Sequence, residues 1–169
     1  KPELVPLDRL AEMFDFSPPR EKGMNTVEAC EAILKGEISA FVALGGNFLR
    51  AIPEQKAMEE AWPRQRLTVQ IATKLNRGHL FNGEIAYLLP CLGRSEMDPL
   101  TGHPQVVSME DSLSCVHGSV GKRTPASEHL KSEIEIVSRL AEATLAQNPK
   151  MLWSHWARDT ASVRDLIER

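Results

Sequence analysis

The sequence predicts an α/β fold: a three-layer, doubly wound, mainly parallel sheet with a loop/hairpin insertion and C-terminal helices. Two observations predict it. Short, mostly apolar runs at Ser39–Leu44, Leu67–Ile71 and Glu84–Leu89 have the length of strands. Near-continuous apolarity, clearest in the first run, suits parallel strands covered on both faces. Helical patterns alternate with these runs at short spacing, which is how βαβ units are built.

Taken in order, residues 1–24 are rich in proline and charge and read as a connector with one short amphipathic helix, Leu7–Phe14, closed by Pro18-Pro19. The α/β domain is expected over residues 25–169. It opens at Asn25, a helix cap that Glu28 completes three residues later. Val27, Cys30, Ile33 and Leu34 share one face of that helix, and Gly36 stops it. The first strand follows and ends in Gly45-Gly46. Pro53 opens the next helix, running through Met58 to Trp62, where a missing amide costs nothing. Strand two, a connection and strand three complete a Rossmann-like arrangement, with Pro90 ending strand three.

Residues 94–125 are rich in Gly, Pro, Ser and Asp, with β-prone pieces at Val106–Met109 and Leu113–His117. A loop or a hairpin is expected there. Ser132 and Glu135 form a capping-box pattern for a helix to about Gln147, with an apolar stripe of Ile136, Val137, Leu140, Ala141 and Leu145. A last amphipathic helix runs from about Leu152 to Ile167.

A chain of 169 residues with 42% hydrophobic and 25% charged residues is long and apolar enough for a real core. A net charge of −3 gives no broad nucleic-acid surface. No apolar run approaches the roughly 20 residues that cross a bilayer. A targeting signal is not seen, though a chain starting at Lys1 says little about that. Cys30, Cys91 and Cys115 are far apart and form no CxxC, which argues against a cluster, a zinc site or a disulfide framework here. Reduced thiols and a cytoplasmic location are expected.

The sharpest local feature is Ala43-Leu-Gly-Gly-Asn-Phe48, directly after strand one. Ligands of open α/β sheets sit at the carboxyl ends of strands. Gly45 and Gly46 let backbone approach a phosphate, and Asn47 adds an amide that donates and accepts. A tight turn without a ligand is the other reading of this segment. After strand two, Gln70-Ile-Ala-Thr-Lys-Leu-Asn-Arg77 brings Thr73, Lys74, Asn76 and Arg77 to the same sheet edge if the strands are parallel. A hydroxyl, an amide and two cations suit a diphosphate or a nucleoside edge, and a solvated basic loop is the plainer alternative. Cys91 near Arg94 reads first as a packed thiol. Asp111, Ser112 and His117 hold the residue types of a hydrolytic triad without a GxSxG elbow. The five histidines show no close metal-ligand spacing.

In order along the chain, Ala43–Leu49, Thr73–Arg77, Leu89–Arg94, Ser108–Ser112, Pro125–Leu130 and Val163–Ile167 resemble segments of formate dehydrogenase-like alpha subunits, a branch of the dimethyl sulfoxide reductase family of molybdopterin oxidoreductases. The likeness spans nearly the whole chain. Such subunits are several times longer, and an earlier part of them carries the molybdenum ligand and any iron–sulfur cysteines. The resemblance implies an inner α/β domain that grips the guanosine diphosphate arm of a molybdopterin guanine dinucleotide. It implies no catalysis by this stretch alone. The family's glycine–polar turn maps onto Gly45, Gly46 and Asn47, followed by Phe48; its second strand end maps onto Gln70, Thr73, Lys74, Asn76 and Arg77. Related enzymes often place an aspartate after that strand, where this chain has Ile71, and an acid in strand three, where it has Ala86. Nucleoside recognition is then expected from Asn76 or Asn82. The implied partners are the rest of the catalytic subunit and an electron-transfer protein, with no nucleic acid and no membrane. Two alternatives from other classes stand beside this: a stand-alone nucleotide-binding or regulatory module, and a small hydrolase built on Cys91 or Ser112.

Overall fold

Local signals set the elements before any packing does. The computed structural model describes residues 5–168, so the first four residues of the expected connector and the final arginine lie outside it. The chain divides into two compact units at Pro90/Cys91.

In the first unit, α1 spans Leu7–Phe14. Helix α2, Thr26–Lys35, carries the expected reciprocal cap: Glu28 N donates to Asn25 Oδ1 at 3.0 Å, and Asn25 N donates to Glu28 Oε2 at 2.8 Å. Gly36 ends it in the left-handed region, φ 76°. Strand β1 is Ala40–Leu44, β2 is Leu67–Ala72 and β3 is Ile85–Pro90. They form one parallel sheet in the order β1-β2-β3, with Leu44 opposite Ile71 and Ile71 opposite Leu89. The parallel α/β character is as predicted.

Two helices connect β1 to β2: α3, Phe48–Ala51, and α4, Gln55–Ala61. Helix α3 has no counterpart among the sequence-based expectations. Helix α4 starts two residues beyond Pro53, behind Glu54 at φ 54°, so the proline precedes the cap instead of opening the first turn. The core consists of Ile33, Leu49, Ile52, Met58, Ala61 and Trp62, with Phe41 and Phe48 against it. Phe41 packs its ring 5.0 Å from Phe48 and 4.8 Å from Trp62, the latter edge-on. Phe41, Thr68 and Ala86 are in register and share one face of the sheet. Helices α2, α3 and α4 therefore build their core on that face.

The second unit contains a hairpin of β4, Val106–Glu110, and β5, Val116–Val120, paired antiparallel as a separate sheet. The second strand starts three residues later than expected, because residues 111–115 are used by the turn. Asp111 Oδ1 accepts from the amides of Leu113 (2.8 Å) and Cys115 (3.1 Å), and Ser114 sits at φ 60°.

Helix α5 is Glu133–Thr144, three residues shorter than expected. Ser132 Oγ accepts from Glu135 N at 3.3 Å, but the Glu135 carboxylate does not close the box. It is buried and held by Lys131 at 3.0 Å and Arg139 at 2.7 Å. The buried side of α5 is marked by Glu135 and Ser138, while Val137, Leu140 and Leu145 of the expected core stripe are exposed. The single last helix is two: α6, Trp153–Arg158, and α7, Thr160–Ile167. Asp159 breaks them with φ −137° and caps the second by accepting from Ala161 N at 3.1 Å.

Candidate functional site

Because β1 and β2 run parallel, Leu44 and Ala72 end at the same edge of the sheet. The chain leaves β1 through Gly45 and Gly46, at φ 69° and 71°. This is the left-handed region, which glycine enters at little cost. A Cβ on either would meet nothing within 4 Å, so it is backbone conformation and not crowding that requires glycine here. Gly45 N donates to Ile71 O at 2.8 Å and carries the β1–β2 pairing into the turn.

The segment after β2 returns to the same place. Asn76 Nδ2 donates to Gly46 O at 3.2 Å, and Asn76 Oδ1 accepts from Gly78 N at 2.8 Å. Asn76 N donates to His79 Nδ1 at 3.1 Å, starting a 3-10 turn over Arg77–Leu80. Both ends of the Asn76 amide are thus spent within the protein. Asn76 builds the rim and is not a free hydrogen-bonding group for a nucleoside. Asn82, the other amide considered, is exposed.

Asn47 sits one residue beyond the glycine pair, half-buried at the start of α3. Its carbonyl oxygen Oδ1 is buried and has no hydrogen-bond partner. Such an acceptor carries an uncompensated desolvation cost of about 1–3 kcal/mol. Asn47 borders a cavity of about 10 Å³, together with Gly46, Phe48, Trp62, Gln70 and Gly78. That is about the space that one water molecule needs. A nucleotide is far too large to be enclosed by it.

The predicted residues therefore divide. Gly45, Gly46, Asn47 and Gln70 border one small cavity, and Asn76 ties the second loop to the first. Thr73, Lys74 and Arg77 lie exposed on that loop, and neither cation has an ion-pair partner among the described residues. Phe48 borders the same cavity and has a second role. Its ring lies 5.0 Å from Phe41 and 6.1 Å from Trp62, so it also anchors the core, with only its cavity-side surface at the site. Gly78 is a site residue that sequence reasoning misses. A Cβ there would sit 2.7 Å from Asn47 Oδ1 and 3.0 Å from Asn76 Oδ1, so any larger residue must push those side chains aside. The Asn-x-Gly spacing of Asn76 and Gly78 is the available signal, an asparagine turned onto its own backbone two residues on.

The other candidates resolve simply. Burial pushes the thiols of Cys30 and Cys91 up, with Glu133 and Glu96 adding to the effect at Cys91. Neither is primed as a nucleophile. Asp111 and His117 do pair, at 2.7 Å, but the carboxylate also holds the hairpin turn, and no hydrogen bond joins Ser112 to His117 among the described residues. No cluster of three His, Cys, Asp or Glu able to hold a metal occurs among the described residues. None of the described helices is long and apolar enough to cross a membrane.

No protein-family model matches the chain. Individual relatives do. An uncharacterized oxidoreductase of Mycobacterium tuberculosis is 42% identical over 164 residues, covering 97% of this chain but 21% of that protein. An uncharacterized oxidoreductase of Mycobacterium bovis matches equally. Protein YdeP of Escherichia coli is 39% identical over 168 residues, covering 99% of this chain and 22% of that protein. The chain spans about a fifth of the length of these curated relatives.

Proposed function

We propose that these residues form an internal α/β domain of a much longer, formate dehydrogenase-like molybdopterin oxidoreductase, where they hold the guanosine diphosphate arm of a molybdopterin guanine dinucleotide. Oxidoreductase chemistry is supported by the names of the mycobacterial relatives, and the length of all of them favours a domain over a stand-alone regulatory module. The finer assignment rests on the resemblance of the ordered segments and on the rim between the two loops. The observation that carries it is the open Gly45-Gly46 turn tied by Asn76 to the loop that bears Lys74 and Arg77.

The donor set fits the group. The Gly45-Gly46 turn leaves room for a diphosphate to approach main chain, and Thr73, Lys74 and Arg77 supply a hydroxyl and two cations for its charge. Asn47 and Gln70 line the small cavity directly behind the turn, next to where the nucleoside would lie. Asn76 and Gly78 hold the loops in contact so that these groups act together. When bound, the cofactor supplies two-electron chemistry at molybdenum. This chain contributes binding and orientation of a phosphate-rich tail, and substrate, molybdenum ligand and any iron–sulfur cluster belong to the rest of the subunit.

The test is occupancy in the full-length protein. Lys74→Gln combined with Arg77→Gln removes two charges from an exposed loop, which leaves folding intact. The variant is expected to retain several-fold less pterin after washing at about 0.5 M salt, where charge contacts are screened. Equal retention by variant and parent protein contradicts the assignment of the diphosphate to this loop.

A further inference from the structure

The sheet of the first unit has a second face. Register places Ala40, Val42 and Leu44 of β1 beside Leu67, Val69 and Ile71 of β2 and Ile85, Tyr87 and Leu89 of β3. No charged or amide side chain interrupts this block. Ile71 is buried, but Val42 is 54% exposed, Leu44 52%, Ile85 45% and Tyr87 56%. On the opposite face Phe41 packs against the helical core, while Leu88 of the edge strand is 43% exposed. A contiguous apolar face of this kind marks an interaction surface, and strands apolar on both sides belong in sheets covered on both sides.

Strand order explains which side is bare. Going β1 to β2 to β3, the sheet grows in one direction only. Parallel crossovers share one hand, so connections running the same way across a sheet fall on the same face. Helices reach the other face when strands are added beyond β1 and the crossovers run backwards. These strands do not do that, and about four-fifths of each curated relative lies outside the matched stretch.

We infer that this face is an intramolecular docking surface, covered in the full-length polypeptide by amphipathic helices from outside these 169 residues. The occupant is aliphatic or aromatic on its contact side, because the face offers no charge and only the Tyr87 hydroxyl for hydrogen bonding. The inference does not depend on the identity of the cofactor.

Benzoyl-phenylalanine placed at position 87 of the full-length protein reads the occupant directly after photolysis and peptide mapping. The expected product is an intramolecular cross-link to a helical peptide outside this stretch. Val42→Cys, a small change, gives an independent readout: its thiol should react with maleimide at least about tenfold more slowly in the native protein than in denaturant, since reaction must await local opening. Cross-links to a second copy, or to residues 133–167 of this chain, overturn the inference. So does a Val42→Cys variant whose introduced thiol reacts as fast in the native protein as in denaturant.

Discussion

The side-chain amide of Asn76 donates to the carbonyl of Gly46 across 3.2 Å, tying the loop that follows the second strand to the turn that follows the first. The same side chain accepts from Gly78 N at 2.8 Å. One residue thereby sets both the shape of its own loop and that loop's distance from the glycine pair.

Separating those two jobs gives the first prediction. Asn76→Leu removes both hydrogen bonds and should destabilise by about 1–3 kcal/mol. Asn76→Asp keeps the acceptor for Gly78 N but loses the donor to Gly46. It should recover most of the melting temperature while amide exchange at Gly46 and Asn47 stays faster than in the parent. Equal protection in Asn76→Asp and the parent would show that the tether does not hold the turn.

Asn47→Leu is predicted to act in opposite directions on stability and occupancy. The buried Oδ1 has no partner, so removing it relieves a desolvation cost, and the cofactor-free protein should be unchanged or stabilised by up to about 1–2 kcal/mol. The cofactor content of the full-length protein should fall. Thermal unfolding of cofactor-free protein, set beside pterin content, reads the two effects separately. Loss of stability with full occupancy would mean that Asn47 is structural.

Glycines 78 and 83 should differ in kind. A Cβ at Gly83 meets the backbone oxygen of Gln65 at 2.5 Å, whereas at Gly78 it meets the end of the Asn47 side chain at 2.7 Å. Backbone cannot swing aside. Gly83→Ala should cost about 2–3 kcal/mol and Gly78→Ala about 1 kcal/mol, the latter with displaced Asn47. Denaturant titration of both variants checks the order.

The hairpin turn should respond to acid. A hydrogen bond from His117, then those from the amides of Cys115 and Leu113, hold the Asp111 carboxyl below its ordinary 3.8. A depressed carboxyl stabilises the fold fully above its unfolded value and loses that contribution as pH falls through the lower folded one. Protection of the Leu113 and Cys115 amides should therefore be flat above about pH 5 and decline only below about pH 4. A decline centred near pH 6 would contradict this.

The sequence announces most of what is local. Asn25 with Glu28 marks one helix start, Gly36 its end, and Gly45-Gly46 the close of β1. Short-range competition obscures other boundaries. Asp159 capping Ala161 splits an amphipathic run that reads as continuous, and Asp111 uses five residues where a shorter turn is expected. Tertiary choices are hidden. Periodicity shows that α5 has two faces, but Lys131 and Arg139 neutralising Glu135 decide which one is buried. At the candidate site, residue types point to two loops that do meet. That Asn76 is consumed between them, and that Phe48 also serves the core, depends on contacts thirty and seven residues away along the chain.

The central claim is that a guanine dinucleotide tail lies along the Gly45–Gly46 and Asn76 rim of a molybdenum oxidoreductase. Elemental and nucleotide analysis of the purified full-length protein tests it most directly. The account predicts molybdenum together with guanosine monophosphate released by acid hydrolysis, both reduced by Asn47→Leu. Protein that is fully active as an oxidoreductase yet contains neither would contradict it.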